Sequence, residues 1–195
     1  MGELTEKSWI KIVPQAVPMD FMKFHKIWKS RPTKQHSVII FGKRYPVPRI
    51  QVMYGHSYSF SGNILEPEKG EIPQYIQTLF DYVRGDCPNF DWNGALVNFY
   101  KDGNNYIGAH SDDEKDLCKG SPIYSFSYGG TRTFRIKPKK GVAPQVDWDK
   151  RDIPTKNGLL VVMGGDFQKE FTHEIVKTKK KVGARINVTI RSFKK

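Results

Sequence analysis

The chain has 195 residues, carries 32 Lys and Arg against 20 Asp and Glu, and so bears a formal net charge of +12 with a pI near 9.6. That length suits one domain able to bury its core without covalent staples, and the charge excess points to a polyanionic partner, nucleic acid or an anionic membrane surface. Cys87 and Cys118, without CxxC spacing, exclude a disulfide framework or a zinc finger and read as bystander thiols. No apolar run approaches the roughly 20 residues that span a bilayer, and residues 1–14 lack the apolar centre of a secretory signal. A soluble intracellular monomer, nuclear or cytoplasmic, is therefore expected.

In chain order, the spacing of Phe21, Phe24 and Trp28 behind Asp20 as N-cap predicts a short helix over residues 20–29. The β-rich run Val38-Ile39-Ile40-Phe41, the turn Gly42-Lys43 and an extended continuation predict a hairpin over residues 37–52. Ile72, Tyr75, Ile76, Leu79, Phe80 and Val83 share one stripe, which predicts a helix over residues 72–84 capped by Gly85. Short strands then follow at 95–100, 123–128, 132–137, 159–163, 174–177 and 185–192, separated by turn signals such as Asp102-Gly103-Asn104 and Gly129-Gly130. The expected fold is mainly β with flanking helices, its antiparallel strands closed as a jelly roll and its helices bracing one outer face.

In the last of these strands Arg185, Asn187, Thr189 and Arg191 share one face, and Ile186, Val188 and Ile190 share the other. Two guanidinium groups facing a cavity require an anion, and a small dicarboxylate meets that need. His110 and Asp112, two apart in an extended segment, point the same way and can chelate one metal. With His173 brought in from a distant strand they form a 2-His-1-carboxylate set, which leaves positions open on ferrous iron for a cosubstrate and O2. Together these features predict an Fe(II)- and 2-oxoglutarate-dependent dioxygenase.

The motifs Phe41-Gly42-Lys43, Pro48-Arg49, Tyr58-Ser59-Phe60-Ser61-Gly62, Asn98-Phe99-Tyr100-Lys101-Asp102-Gly103, His110-Ser111-Asp112-Asp113-Glu114 and Gly120-Ser121-Pro122-Ile123 resemble the AlkB-type nucleic-acid dealkylating dioxygenases. The resemblance runs from about Val38 to the C-terminus, and within the family it looks most like the member that repairs double-stranded DNA. It implies a double-stranded β-helix core with an N-terminal hairpin lid, in one domain over residues 1–195 with 37–62 as the nucleotide-recognition segment. It further implies that His110, Asp112 and His173 bind iron and that Asn98, Tyr100, Arg185, Thr189 and Arg191 hold 2-oxoglutarate, with Asn187 in support. Implied substrate contacts are Phe41, Gly42, Lys43, Arg49, Tyr58, Ser59, Phe60, Asp113 and Glu114.

The activity this implies is oxidative removal of small N-alkyl groups, such as those of 1-methyladenine and 3-methylcytosine, releasing formaldehyde and succinate. An alkylated pairing edge is inaccessible within a duplex, so the base must be flipped out and the gap filled. Phe41 matches the filling position, although its place in an apolar run also suits a core strand. Lys43, Arg44, Arg49, the run at 137–140, Lys177 and Lys179 to Lys181 are candidate phosphate contacts. Ser111 departs from the pattern, standing where close relatives often carry arginine. Two alternatives are the same chemistry on RNA or single-stranded DNA and a non-catalytic basic nucleic-acid-binding jelly roll.

Overall fold

A computed structural model describes residues 2–33, 35–40, 43–60, 63–142 and 146–195. The elements run β1 (Gly2–Glu3), β2 (Ser8–Val13), α1 (Phe21–Lys29), β3 (Ser37–Ile40), β4 (Lys43–Pro46), β5 (Ile50–Tyr54), β6 (Tyr58–Phe60), β7 (Asn63–Leu65) and α2 (Gln74–Asp86). They continue as β8 (Gly94–Tyr100), β9 (Ile107–His110), β10 (Ile123–Gly129), β11 (Thr133–Pro138), β12 (Arg151–Pro154), β13 (Leu159–Gly165), α3 (Phe167–Glu170), β14 (Phe171–Ile175) and β15 (Arg185–Arg191).

Two sheets form the sandwich. The major sheet has seven strands in the order β1-β2-β13-β10-β15-β8-β5, and the minor has four in the order β12-β11-β14-β9. All the pairings are antiparallel, which is the jelly roll that the strand pattern led us to expect. Two small hairpins, β3-β4 and β6-β7, stand apart from the sheets.

The alternation in β15 decides what each face does. Ile186, Val188 and Ile190 are fully buried in one apolar cluster with Ile27 of α1 and with Ile76, Leu79, Phe80 and Val83 of α2. The helices thus cover the outer face of the major sheet. A second cluster, including Tyr100, Ile123, Phe134, Ile136, Phe167, Phe171 and Ile175, fills the space between the sheets. At the start of β15 the chain passes so close to Gly129 and Gly130 that a Cβ on either would meet the carbonyl oxygen of Ala184 or Gly183, at 2.5 and 2.3 Å. Gly129 also has φ of +82°, so this turn accepts only glycine comfortably.

Several boundaries differ from those expected. Asp20 does cap α1, its carboxylate accepting from Lys23 N at 2.7 Å. The first hairpin, however, ends at Pro46 rather than 52, because Pro46 and Pro48 cannot donate to a ladder. Residues 50–54 instead join the major sheet beside β8. Helix α2 begins at Gln74 because Pro73 biases Ile72 toward extended backbone. It also runs through Gly85 to Asp86, whose carboxylate accepts from Lys11 Nζ at 2.8 Å and Tyr124 OH at 2.7 Å and so fastens the last turn to β2 and β10.

The strand expected at 174–177 lies at Phe171–Ile175, where Phe171, His173 and Ile175 alternate inward. Strands β2, β9 and β12 and helix α3 gave no separate sequence signal, being short or irregular in pattern. The face assignment of the helix-covered sheet makes Ile186→Ala destabilising by about 2–5 kcal/mol, whereas Ile64→Ala, at a position 65% exposed, shifts stability by less than about 0.5 kcal/mol; urea unfolding of the two variants measures both.

Candidate active site

The cavity lies between the sheets. Asn98, Tyr100, Ser125, Arg185, Asn187, Thr189 and Arg191 line it from the major sheet, and Ile107, His110, Phe134, His173 and Ile175 line it from the minor one. Pairing of β9 with β14 sets His110 directly opposite His173, and their ring centroids are 4.3 Å apart. Asp112 follows two residues after His110, with Oδ1 3.4 Å from His110 Nε2 and Oδ2 3.9 Å from His173 Nε2. One ligating atom from each of the three lies within 4.8 Å of the others.

The protonation states suit a metal. His110 Nδ1 is 2.8 Å from the Gly108 carbonyl oxygen and donates to it, which leaves Nε2 as the nitrogen facing Asp112. Burial, with His110 nearby, pushes His173 down from 6.5 to about 3, so its imidazole is neutral. Asp112 is only 3% exposed. Burial penalises its charge, but Arg191 Nη2 at 2.8 Å, together with the two histidines, overrides that penalty and holds the carboxyl well below its ordinary range. Asp112 Oδ1 nevertheless has no hydrogen-bond partner among the described residues, a deficit that a cation would relieve. Two imidazole nitrogens and one carboxylate therefore fit ferrous iron.

The two arginines of β15 do different things. Arg191 is paired with Asp112, and its guanidinium lies 5.1 Å from the Tyr58 ring. Arg185, only 1% exposed, has no carboxylate within ion-pair distance among the described residues. It donates from Nη2 to Ser127 Oγ at 2.8 Å and lies 5.0 Å from the Tyr100 ring. Its Nε and Nη1 have no partner, and burial lowers its pKa to about 10. A buried guanidinium with two idle donors fits one end of a dicarboxylate.

Neighbouring polar groups are ordered for the same cavity. Asn98 Oδ1 accepts from Arg49 Nε at 2.8 Å and Gln51 Nε2 at 3.2 Å, which fixes its amide orientation. Asn187 is fully engaged, donating to Ser125 Oγ and the Phe126 carbonyl and accepting from Thr189. It braces the wall of the pocket.

Other sequence candidates are corrected or divided. Arg49 is not a surface phosphate contact: it is 3% exposed and spent on Asn98 inside the cavity, because β5 lies beside β8 rather than in the hairpin. Lys137 is paired with Glu174 at 2.9 Å, and Lys139 donates to the Gln168 carbonyl at 2.8 Å, so two of the three lysines at 137–140 are internally committed. Lys43 and Arg44 stay exposed on β4. Tyr58 is buried over Arg191, while Ser59 is exposed on the opposite side of β6. Glu114 is half-buried near Arg191 and Tyr58, where burial raises its pKa, and Asp113 points to solvent. Phe41 and Gly42, and the Phe60 side chain, fall outside the described residues.

Sequence reasoning missed Ser125 and Ser127, whose alternation with Tyr124, Phe126 and Tyr128 marks a polar face on β10, as well as Gln51 and Gln168, which carry no local signal.

Jelly roll, His-Asp-His set and a buried arginine without an acid are together what an oxygenase using ferrous iron and 2-oxoglutarate requires. The sequence matches the 2OG-Fe(II) oxygenase superfamily (2OG-FeII_Oxy_2) over residues 12–191, and the chain belongs to it. Membership implies Fe(II), 2-oxoglutarate and O2.

Among curated proteins it is 38% identical over 161 residues to DNA oxidative demethylase ALKBH2 of Homo sapiens, covering 80% of this chain and 60% of that one. It is 31% identical over 194 residues to alpha-ketoglutarate-dependent dioxygenase alkB homolog 3 of Mus musculus, covering 97% and 63%. These relatives bear out the resemblance to the AlkB type, although the chain spans only about 60% of their length. The solved structure of OsALKBH1 shares the fold, with a TM-score of 0.58 at 18% identity over 94% of this chain and 96% of that one. No helix of the described residues is long and apolar enough to cross a membrane.

The depressed His173 pKa has a consequence for stability. The unfolded chain takes up this proton below about 6.5 while the folded chain resists until about 3. Folding stability of the metal-free protein therefore falls as pH drops through that window, and His173→Gln makes the slope shallower by up to about 1.4 kcal/mol per pH unit in urea titrations between pH 6.5 and 4.

Proposed function

We propose that this chain is a DNA repair enzyme that oxidatively removes N-alkyl lesions such as 1-methyladenine and 3-methylcytosine from duplex DNA. It acts as a monomeric single domain whose residues 37–62 recognise the nucleotide. The observation that carries the reading is one cavity holding both a convergent His110–Asp112–His173 set and the buried, acid-free guanidinium of Arg185. The relatives named as DNA oxidative demethylases and the net charge of +12 support a DNA substrate.

On this reading His110, Asp112 and His173 hold Fe(II), which with 2-oxoglutarate and O2 supplies the oxidation of the alkyl carbon, yielding succinate, carbon dioxide and formaldehyde. The protein's part is placement and charge control. Arg185 forks onto the distal carboxylate of 2-oxoglutarate with Tyr100 donating beside it, and Asn98 and Thr189 complete the contacts. Arg191 keeps Asp112 ionised as a ligand, and the neutral His173 needs no deprotonation to bind metal.

The flipped base enters past Tyr58, whose ring offers a stacking face, and Glu114 and Asp113 meet its polar edge. Phe41 fills the gap left in the duplex, while Lys43 and Arg44 on the exposed hairpin meet phosphates.

Demethylation of a methylated duplex oligonucleotide coupled to succinate release tests the assignment: His110→Ala abolishes both products, and undiminished turnover in that variant defeats the reading. Phe41→Ala lowers the rate on duplex far more than on the matching single strand; equal loss on both, or a faster reaction on RNA or single strands in the unaltered protein, moves the substrate away from duplex DNA. Arg185→Lys keeps the charge but loses the planar fork, so KM for 2-oxoglutarate rises roughly ten- to hundredfold, corresponding to a charge-assisted hydrogen bond of about 1.5–3 kcal/mol.

A further inference from the structure

Strand β9 ends at His110, so no sheet ladder holds the next two residues, although Asp112 must sit within a few tenths of an ångström of its place to serve as a ligand. The ladder that does exist here is thin: β9 meets β14 only at His173↔His110 and Ile175↔Ile107, with an irregularity between them. Two side-chain hydrogen bonds take over. Ser111 Oγ donates to the Phe171 carbonyl at 2.9 Å, and the Asp112 backbone N–H donates to Gln168 Oε1 at 2.9 Å.

Both acceptors belong to the segment formed by α3 and the start of β14, which also delivers His173. Because a backbone N–H can only donate, the acceptor atom is the Gln168 carbonyl oxygen. Asp112 is 3% exposed, and without that oxygen its N–H would be buried and unpaired.

Gln168 is itself tethered. Its Nε2 lies 3.7 Å from Met163 Sδ, and its backbone carbonyl accepts from Lys139 Nζ at 2.8 Å. Two residues on, the Glu170 carboxylate accepts from the hydroxyls of Thr5 and Ser8, and Asp166 N donates to the Lys7 carbonyl at 2.9 Å. The one-turn helix is thus anchored to the N-terminal strands on its outer side and reaches a metal ligand on its inner side.

We propose that Gln168 is a positioning residue for the metal centre, fixing the Asp112 backbone relative to His173 and so setting the affinity of the triad for a divalent cation. Gln168 need touch neither metal nor substrate. Ser111 has the auxiliary role of tying the same two residues to β14, which gives a use to a position that departs from the family pattern. The inference rests on reading His110, Asp112 and His173 as a metal site.

The test is titration of the metal-free protein with Co(II), read by its d–d absorption, alongside thermal unfolding of the metal-free variants. The unaltered protein gives a cobalt spectrum that His110→Ala loses; if neither does, it is the metal-site reading that fails. Gln168→Met keeps the length and loses the acceptor, and Gln168→Asn keeps the amide but withdraws it by one methylene. Each weakens Co(II) binding roughly ten- to hundredfold, the usual range for partners that orient metal ligands, while the unpaired Asp112 N–H lowers the metal-free unfolding midpoint only modestly and leaves each variant folded at the titration temperature. Gln168→Glu retains an oxygen at the same reach and restores most of the affinity. Unchanged Co(II) affinity in Gln168→Met or Gln168→Asn overturns the proposal, as does a loss in Gln168→Glu as deep as that in Gln168→Met.

Discussion

The site depends on one strand pairing. β9 and β14 lie far apart in the chain, yet their antiparallel contact places His110 opposite His173, and everything else in the centre is arranged around that pair. Two imidazoles at this distance repel if both are protonated, and burial resolves the conflict by keeping His173 neutral. Asp112 is then drawn in by Arg191, so the carboxylate remains charged in surroundings that would otherwise favour its protonated form. Each member makes the protonation state of the next one tenable.

The same logic extends along β15. Among the described residues, three guanidinium groups, Arg49, Arg185 and Arg191, line the cavity against one carboxylate, that of Asp112. Burying that excess of positive charge is costly unless something compensates it. Among the described residues Arg191 has Asp112, Arg49 has the Asn98 carbonyl oxygen, and Arg185 has a serine hydroxyl and Tyr100. Arg49 and Arg185 are thus both buried without an acid among the described residues, and Arg185 keeps two donors idle. A carboxylate of an anionic occupant would relieve it.

The scaffold separates rigid from adaptable parts. Helices α1 and α2 seal the outer face of the major sheet through Ile27, Ile76, Leu79, Phe80 and Val83, so the strands bearing the arginines are backed by a dry apolar layer. The β3-β4 and β6-β7 hairpins lie outside both sheets and carry exposed Lys43, Arg44 and Tyr45 together with the inward-facing Tyr58. On the proposed function, chemistry sits on the sandwich and recognition on its appendages, a division that allows one side to vary without disturbing the other.

Much of this was legible in the chain itself. The period-two alternation of residues 185–191 assigned both faces of β15, because a side chain's face follows from its parity along a strand and from nothing distant. The apolar stripe of α2, the Asp20 cap and the HxD spacing are likewise local facts. What the sequence left undecided was which distant residues meet. Only the folded sheets put His173 across from His110, gave Arg191 to Asp112 while leaving Arg185 without an acid, moved Arg49 from the surface to the cavity, and brought Gln168 to the Asp112 amide. Those outcomes depend on sheet order and register, which arise from the joint burial of many side chains and leave no trace in the spacing of any one segment.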